Sequence, residues 1–185
     1  MKRPSYDKVF SVEEYIRYEW TAGRPSDFID GLLFEIPGSK DVNNEVTGNV
    51  FCILMERLIN TDYQVYAHDV KVKIFGENKY YYPDLFITKE EKTDANRYIK
   101  FEPLLIVEVV SESSQVNDYV DKYIDYTKIP SLLYYIIVEP ETSLITCYSK
   151  AETGEWFTTK LTKPENSIQL DALEISFTLK EVYGV

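Results

Sequence analysis

Residues 103–114, PLLIVEVVSESS, contain the apolar run that predicts the central strand of the fold. Residues 104–110 are apolar on both faces, apart from Glu108, which is typical of a strand that is covered on both sides. A carboxylate in such a strand is costly unless it is paired, because an unpaired buried charge loses its hydration or becomes neutral. Glu108 therefore indicates either a buried ion pair or a functional site.

Hydrophobic periodicity on either side of this run predicts a mixed α/β sheet flanked by helices. The sequence SVEE at 11–14 matches a helix capping box, and DG at 30–31 is a hairpin turn dipeptide. The predicted elements, in order, are a helix over 11–20, a hairpin over 28–35, a helix over 44–60, strands over 70–74, 80–88 and 104–110, a helix over 116–127, a strand over 133–138, strands near 145 and 156, and a short helix over 179–183. We expect the strands that contain Lys71, Asp84 and Glu108 to be adjacent in one sheet, within a single domain over 1–185.

The composition argues against several classes of protein. The 185 residues include 31 acidic and 20 basic residues, for a net charge of −11, which argues against binding to DNA by a general basic field. With one histidine and two cysteines, the chain has no zinc-finger, HExxH or paired-cysteine motif, so any metal would be held mainly by carboxylates. No run approaches the roughly 20 apolar residues of a membrane span, and no signal-peptide core is present. We expect a cytoplasmic protein without membrane contact.

Three charged residues are candidates for a functional site. Asp84 follows a proline within the 80–88 strand, Glu108 lies in the central strand, and Lys122 lies on the next helix. Each also has a structural interpretation: Asp84 could cap a strand end, Glu108 could form an ion pair, and Lys122 could pair on the surface with Asp118, four residues earlier. Together, two acids on neighbouring strands and a lysine on the following helix indicate a divalent-cation site with a positioned ammonium group.

Six segments resemble the PD-(D/E)XK nuclease superfamily, and within it the Uma family of restriction-endonuclease-like proteins. They are SVEEYIRYEW (11–20), FIDGLLFEIPGS (28–39), NNEVTGNV (43–50), YYPDLFI (81–87), PLLIVEVVSESS (103–114) and NDYVDKYIDYTKIPSLLYYIIV (117–138). The PD dipeptide alone is weak evidence, whereas the whole series in the family's order is specific. The resemblance covers most of residues 11–139 and implies an αβββαβ restriction-endonuclease-like core, to which this chain adds strands at the C-terminus.

The resemblance also implies roles for individual residues. Asp84 and Glu108 match the metal-binding acids, and the backbone carbonyl of Val109 would be a further ligand. The superfamily's usual lysine position, two residues after the second acid, is Val110 in this chain. The lysine that matches in this branch is Lys122, on the following helix.

Three further residues are auxiliary candidates on the same basis. Asp27 matches an acidic residue before the first hairpin that faces the cleft, and Asp118 lies one helical turn before Lys122. Asn43 stands where family members often have histidine, and an amide cannot transfer protons as an imidazole does.

These roles imply a Mg²⁺- or Mn²⁺-dependent endonuclease that hydrolyses DNA phosphodiester bonds. Phosphates would bind in a local cleft that contains Lys71, Lys73, Lys79 and Lys122. The alternative is a catalytically inactive nuclease fold that serves as a binding or interaction module, which the acidic charge and Asn43 favour. A homodimer is compatible with either function. His68 has no G-x-S-x-G partner, which argues against a hydrolytic triad.

Overall fold

The computed structural model describes residues 4–22, 25–36, 38–94, 97–110 and 117–184, with the side chains of 22 and 117–119 outside the description. The helices are α1 (Val12–Ala22), α2 (Asp41–Arg57), a π-helical turn (Asn117–Lys122) that continues into α3 (Tyr123–Tyr126), and α4 (Leu179–Tyr183). The strands are β1 (Ser26–Ile29), β2 (Leu32–Glu35), β3 (Gln64–Ala67), β4 (Lys71–Lys73), β5 (Lys79–Tyr81), β6 (Leu85–Thr88), β7 (Ile99–Lys100), β8 (Pro103–Val109), β9 (Tyr134–Glu139), β10 (Leu144–Lys150), β11 (Trp156–Leu161), β12 (Ser167–Leu170) and β13 (Ile175–Thr178).

The predicted central strand is β8, which lies inside a six-stranded sheet of order β11-β10-β9-β8-β6-β3. β8 and β9 run parallel, and the other neighbouring pairs in this sheet run antiparallel. Leu105, Val107 and Val109 point into the core beneath α2 and α4, whereas Ile106 points into the core on the opposite face. The strand is apolar on both faces because both faces are covered.

A five-stranded sheet of order β2-β1-β5-β4-β7 lies on the face of the six-stranded sheet that carries Ile106. Val72 and Ile74 from this second sheet share that core with residues of α3. α1 covers the other side of the second sheet, where Tyr15 stacks on Phe28. The resulting layers are α2 and α4, the six-stranded sheet, the five-stranded sheet with α3, and α1.

Local sequence signals account for the first helix and hairpin. The Ser11 hydroxyl accepts the Glu14 N–H at 3.2 Å, and the Glu14 carboxylate accepts the Ser11 N–H at 2.9 Å, as a capping box requires. Asp30 and Gly31 both have positive φ, 49° and 91°, which a type I′ hairpin turn demands. α2 begins three residues earlier than predicted, and α4 matches the predicted terminal helix.

The prediction of one strand over 80–88 is wrong, because the chain changes sheets within it. β5 belongs to the five-stranded sheet and β6 to the six-stranded sheet, with residues 82–84 between them. Pro83 has no N–H for a ladder hydrogen bond, and Asp27 accepts the N–H of Tyr82, so neither residue continues a strand. The segments of Asp84 and Glu108 are neighbours, but the strand of Lys71 lies in the other sheet. The prediction that all three are adjacent in one sheet is therefore wrong.

The helix predicted over 116–127 is present from residue 117 as a π-helical turn followed by the short α3, and residue 116 lies outside the described residues. The extra strands expected at the C-terminus are β10 to β13, which extend the six-stranded sheet and add a two-stranded one. None of the helices in the described ranges is long and apolar enough to cross a membrane.

Candidate active site

Three ionisable side chains form a row across neighbouring strands of the six-stranded sheet. Ala67 pairs with Leu85, and Leu85 pairs with Val107. Extending both ladders by one residue places His68 opposite Asp84 and Asp84 opposite Glu108. The His68 N–H donates to the Asp84 carbonyl at 3.2 Å, which supports the first pairing. Opposed side chains on one sheet face have Cβ atoms about 5 Å apart, so the two acids are neighbours.

The Asp84 carboxylate is fixed by the backbone of the neighbouring strand. Its Oδ2 accepts the N–H of Val109 at 2.7 Å, and its Oδ1 lies 3.8 Å from His68 Nδ1. The Asp84 side chain is 30% exposed, so solvent reaches the carboxylate from one side. Asp84 thus satisfies a backbone donor at a strand end and still presents oxygen to the cleft. Both interpretations of this residue are compatible with the geometry.

Glu108 is buried on the face that carries Ile106, and two side chains from the following helix contact it. Lys122 Nζ lies 2.8 Å from Glu108 Oε1, and the Tyr126 hydroxyl donates to the same oxygen at 2.8 Å. Burial raises the pKa of Tyr126 well above its usual value, and the Glu108 charge adds to the effect, so the phenol stays a hydrogen-bond donor. The ammonium of Lys122 therefore reaches back to the strand. The alternative pair with Asp118 involves a side chain outside the described part of the structure.

A carboxylate anchor holds the helix that carries Lys122 against the five-stranded sheet. Asp125 accepts from Lys79 Nζ at 2.8 and 2.9 Å, from the Tyr81 hydroxyl at 2.7 Å and from Lys128 Nζ at 3.0 Å. Burial alone would raise the pKa of Asp125, but the hydrogen bonds from these three residues outweigh it and lower the pKa below the usual value. Asp125 is one turn from Lys122, so this anchor fixes the direction from which the ammonium approaches Glu108.

Two of the auxiliary candidates lie close to these residues. Asp27 on β1 is buried, and its Oδ1 accepts the Tyr82 N–H at 3.0 Å. The pKa of Tyr126 is raised mainly by burial and by the Glu108 charge, and the Asp27 charge contributes further. Asp27 therefore lies near the same cluster. Asn43, in the first turn of α2, is also buried, and its Nδ2 lies 3.4 Å from the Val109 carbonyl. Asn43 Oδ1 accepts no hydrogen bond from the residues that the structure describes.

The three lysines predicted to line a phosphate cleft with Lys122 have internal partners instead. Lys71 pairs with Glu19 and lies over the rings of Tyr15 and Tyr82. Lys73 donates to the Glu77 carbonyl at 2.8 Å, and Lys79 belongs to the Asp125 anchor. Lys71 and Lys79 are held because they lie on strands of the sheet that faces α1 and α3. The predicted role of these three lysines in phosphate binding is therefore not supported by their positions.

The ends of these strands present oxygen atoms, which are the ligands that hard cations prefer. Within the described ranges, no group of three or more His, Cys, Asp or Glu side chains could hold a metal ion. The oxygen donors available are the carboxylates of Asp84 and Glu108, the Val109 carbonyl and the unpartnered Asn43 Oδ1. Mg²⁺ typically uses one or two carboxylates and completes its shell with water and substrate phosphate, whereas structural Zn²⁺ needs four protein ligands. The residues fit a hard cation.

Sequence reasoning missed two residues of this cluster. Tyr126 follows Lys122 by four residues, and that spacing places both on one helix face, so the signal was present. His68 is in the left-handed backbone region, with φ of 56°, and its side chain is 53% exposed beside Asp84. The sequence carried no comparable signal for His68, because its position depends on the pairing of β3 with β6.

The layered sheets with their flanking helices define a restriction-endonuclease-like fold. A crystal structure described as a "putative nuclease belonging to DUF820" from Anabaena variabilis ATCC 29413 is similar to this chain with a TM-score of 0.78. The similarity covers 95% of this chain and 98% of that one at 11% sequence identity, so it shows the fold alone.

The sequence profile of the Uma2 family, described as "putative restriction endonuclease", matches residues 12–180, and the chain belongs to this family. Two relatives are uncharacterised proteins of Synechocystis sp. (strain ATCC 27184 / PCC 6803 / Kazusa). The protein sll1609 is 28% identical over 170 residues, covering 91% of this chain and 96% of the relative. The protein slr1290 is 23% identical over 173 residues, covering 94% and 90% respectively. The family resemblance and fold class expected from the sequence are confirmed.

Proposed function

We propose that this protein is a divalent-metal-dependent endonuclease that hydrolyses DNA phosphodiester bonds. The observation that carries the proposal is the 2.8 Å contact between Lys122 Nζ and Glu108 Oε1, on the strand next to Asp84. Two carboxylates, a backbone carbonyl and an ammonium group thus converge at one end of the sheet. Membership of a restriction-endonuclease family supports the reaction class.

Asp84, Glu108 and the Val109 carbonyl would hold Mg²⁺ or Mn²⁺. Such a cation, when bound, lowers the pKa of a bound water and neutralises charge on a phosphate. The Val109 N–H fixes the Asp84 carboxylate, and the Tyr126 hydroxyl fixes that of Glu108. These contacts set both acids before substrate arrives, which reduces the reorganisation needed for catalysis.

Lys122 would act on the reacting groups directly. An ammonium group has three N–H donors, and one of them is used by Glu108. The same ammonium group would orient the attacking water or stabilise charge on a phosphate oxygen. Asp27 and Asn43 would act as positioning residues, through the Tyr82 backbone and the Val109 carbonyl respectively. A role for Asp118 stays a prediction.

A cleavage assay with matched carboxamide variants tests the proposal. Supercoiled plasmid and single- and double-stranded oligonucleotides are incubated with Mg²⁺, Mn²⁺ or EDTA. We expect metal-dependent cleavage by the wild type and loss of at least 10²-fold in Asp84→Asn and Glu108→Gln. The control is Asp62→Asn, an exposed aspartate remote in sequence from both strands, purified identically and expected to match the wild type. Equal cleavage by Asp84→Asn and the wild type would refute these roles.

The second candidate is an inactive nuclease fold that serves as an interaction module. It is favoured by the net charge of −11 and by the internal partners of Lys71, Lys73 and Lys79. No metal-dependent cleavage of any of these substrates by the wild type would support this candidate over the enzyme. The single domain over 1–185, the cytoplasmic location and a homodimer stay predictions under either function.

A further inference from the structure

A second polar pocket, separate from the row of acids, lies between β3 and the segment that leads into β7. Its volume is about 540 Å³. The residues that line it are Tyr66, Lys92, Thr93, Asp94, Arg97 and Lys100. Three of these side chains are cationic and one is an aspartate, so the pocket is positively charged within a strongly acidic protein.

Lys100 is the unusual member of this pocket because its side chain is buried and its ammonium group faces an aromatic ring. The residue is only 1% exposed, and it lines the pocket. Its Nζ lies 5.5 Å from the centroid of the Tyr66 ring. Burial lowers the pKa of Lys100, an effect that the charge of Glu90 partly opposes. Glu90 itself is held by the backbone N–H groups of residues 101 and 102.

The other two cations differ from Lys100 in their freedom to move. Lys92 is exposed at the rim of the pocket. Arg97 is also exposed, and its Nη2 lies 2.5 Å from Asp94 Oδ1. A guanidinium has five N–H donors, so one aspartate leaves several for a second anion. The pocket therefore combines one buried, preset cation with two adjustable ones, which is an arrangement suited to a tetrahedral oxyanion.

The strand register places this pocket beside the candidate active site and on the same sheet face. Tyr66 pairs with Phe86, which pairs with Ile106, and the Tyr66 and Phe86 rings stack at 5.1 Å. The next row on that face, two residues along each strand, contains Asp84 and Glu108. Two residues of strand span roughly 7 Å. The two sites are thus one row of side chains apart.

We propose that this pocket binds a backbone phosphate of the nucleic acid whose neighbouring phosphodiester lies at Asp84 and Glu108. The proposal rests on the proposed function, because it gives the pocket a place on the same substrate. Burial of the Lys100 ammonium group is unfavourable and the Glu90 charge opposes it only in part, so an incoming phosphate would bring negative charge to a place that favours it. The pocket also offers positive charge for phosphate binding, which Lys71, Lys73 and Lys79 do not because they have internal partners.

The test removes the Lys100 charge while keeping most of its length. Lys100→Met, the rim variant Lys92→Met and the matched control Lys163→Met, an exposed lysine on another part of the chain, are compared with the wild type. Binding of a fluorescein-labelled oligonucleotide is measured by anisotropy at several salt concentrations, with Ca²⁺ and with EDTA. We expect Lys100→Met to weaken binding by threefold to tenfold. The slope of log K against log salt is negative, and each lost phosphate contact reduces its magnitude by about 0.7–0.9. We expect a reduction of this size in Lys100→Met.

A second measurement uses inorganic phosphate and needs no nucleic acid. Millimolar phosphate should raise the melting temperature of the wild type and of Lys163→Met but not that of Lys100→Met. Lys100→Met removes a buried charge whose desolvation is unfavourable and keeps most of the side-chain length, so the variant should remain folded in the absence of phosphate. Lys92 is exposed, so Lys92→Met should fold and tests the same pocket even if Lys100→Met is unstable.

The outcomes separate this inference from the proposed function. Equal affinities, salt slopes and phosphate responses in the wild type, Lys100→Met and Lys92→Met would overturn the phosphate site. Phosphate stabilisation that depends on Lys100, in a wild type that binds no oligonucleotide, would keep the pocket as an anion site and overturn its assignment to nucleic acid. Cleavage that depends on Asp84 together with unchanged binding by Lys100→Met would keep the endonuclease and overturn the pocket.

Discussion

Replacing Lys122 by methionine tests the central contact of the candidate site. The side chains of Lys122 and Glu108 are 12% and 4% exposed, and 2.8 Å separates Nζ from Oε1. Removing one partner of a buried ion pair costs about 3–5 kcal/mol. Tyr126 still donates to Glu108 after the change, so we expect a loss of about 2–3 kcal/mol in the free energy of unfolding. A surface pair with Asp118 would cost only a few tenths of a kcal/mol.

The cleavage rate of Lys122→Met should fall by more than its loss of folding stability can explain. Loss of one preorganised donor lowers kcat by about 10²–10³-fold, equivalent to about 2.7–4 kcal/mol in the transition state. Chemical denaturation gives the stability, and single-turnover cleavage at a temperature where the variant is fully folded gives the rate. The double variant Lys122→Met with Glu108→Gln should recover part of the stability, because no uncompensated charge remains, and none of the activity.

Three results would refute this reasoning. A loss below about 0.5 kcal/mol in Lys122→Met would mean that the pair with Glu108 does not form in solution. No recovery of stability in the double variant would mean that Lys122 does not compensate the Glu108 charge. Wild-type cleavage rates in Lys122→Met, with Lys163→Met as the matched lysine control, would exclude a role for the ammonium in the reaction.

Three further predictions follow from the same contacts. Mg²⁺ or Mn²⁺ at ten times its Kd should stabilise the wild type by about 1.4 kcal/mol, roughly 3–6 °C in melting temperature, and Asp84→Asn should abolish the shift. Tyr126→Phe should cost about 1–3 kcal/mol in a urea titration, because buried Glu108 loses a donor; an unchanged midpoint would contradict this. The pKa of Asp125 is lowered in the folded state, so its contribution is present above about pH 4 and is lost as the pH falls through the folded pKa. The melting temperature of the wild type should therefore fall more steeply below pH 4 than that of Asp125→Asn, and parallel pH profiles would contradict the anchor.

The parts of the fold that depend on local patterns could be predicted from the sequence. The capping box at Ser11, the turn at Gly31 and the two-sided apolar strand around Glu108 each have a local cause. The approach of Lys122 to Glu108 was also accessible, because a helix that follows a strand and packs on it brings its early residues over the strand end. The structure shows that approach, and the catalytic roles of these residues stay predictions.

Features that depend on long-range pairing could not be predicted in the same way. Alternation shows that Val72 and Phe86 are buried, but it does not show in which sheet each strand lies. The partners of Lys71 and Lys79 come from helices α1 and α3, far away in sequence, so their charges looked available for phosphate. Lys100 gave no signal at all, because a lysine in a polar segment is normally exposed.

The change of sheet at residues 82–84 makes this short segment a spacer of fixed length. Its Tyr82 end is tied to one sheet through Asp27, and its Asp84 end is tied to the other through the Val109 N–H. Inserting one residue would move the carboxylate out of reach of Glu108 or break one of the ties, whatever the inserted residue is. Insertions at the exposed turn over 152–154, between β10 and β11, would by contrast lengthen a surface loop and leave the spacer intact. A protein engineer could thus change the length of that turn but not the length of the three-residue crossing, which sets the separation of the two acids.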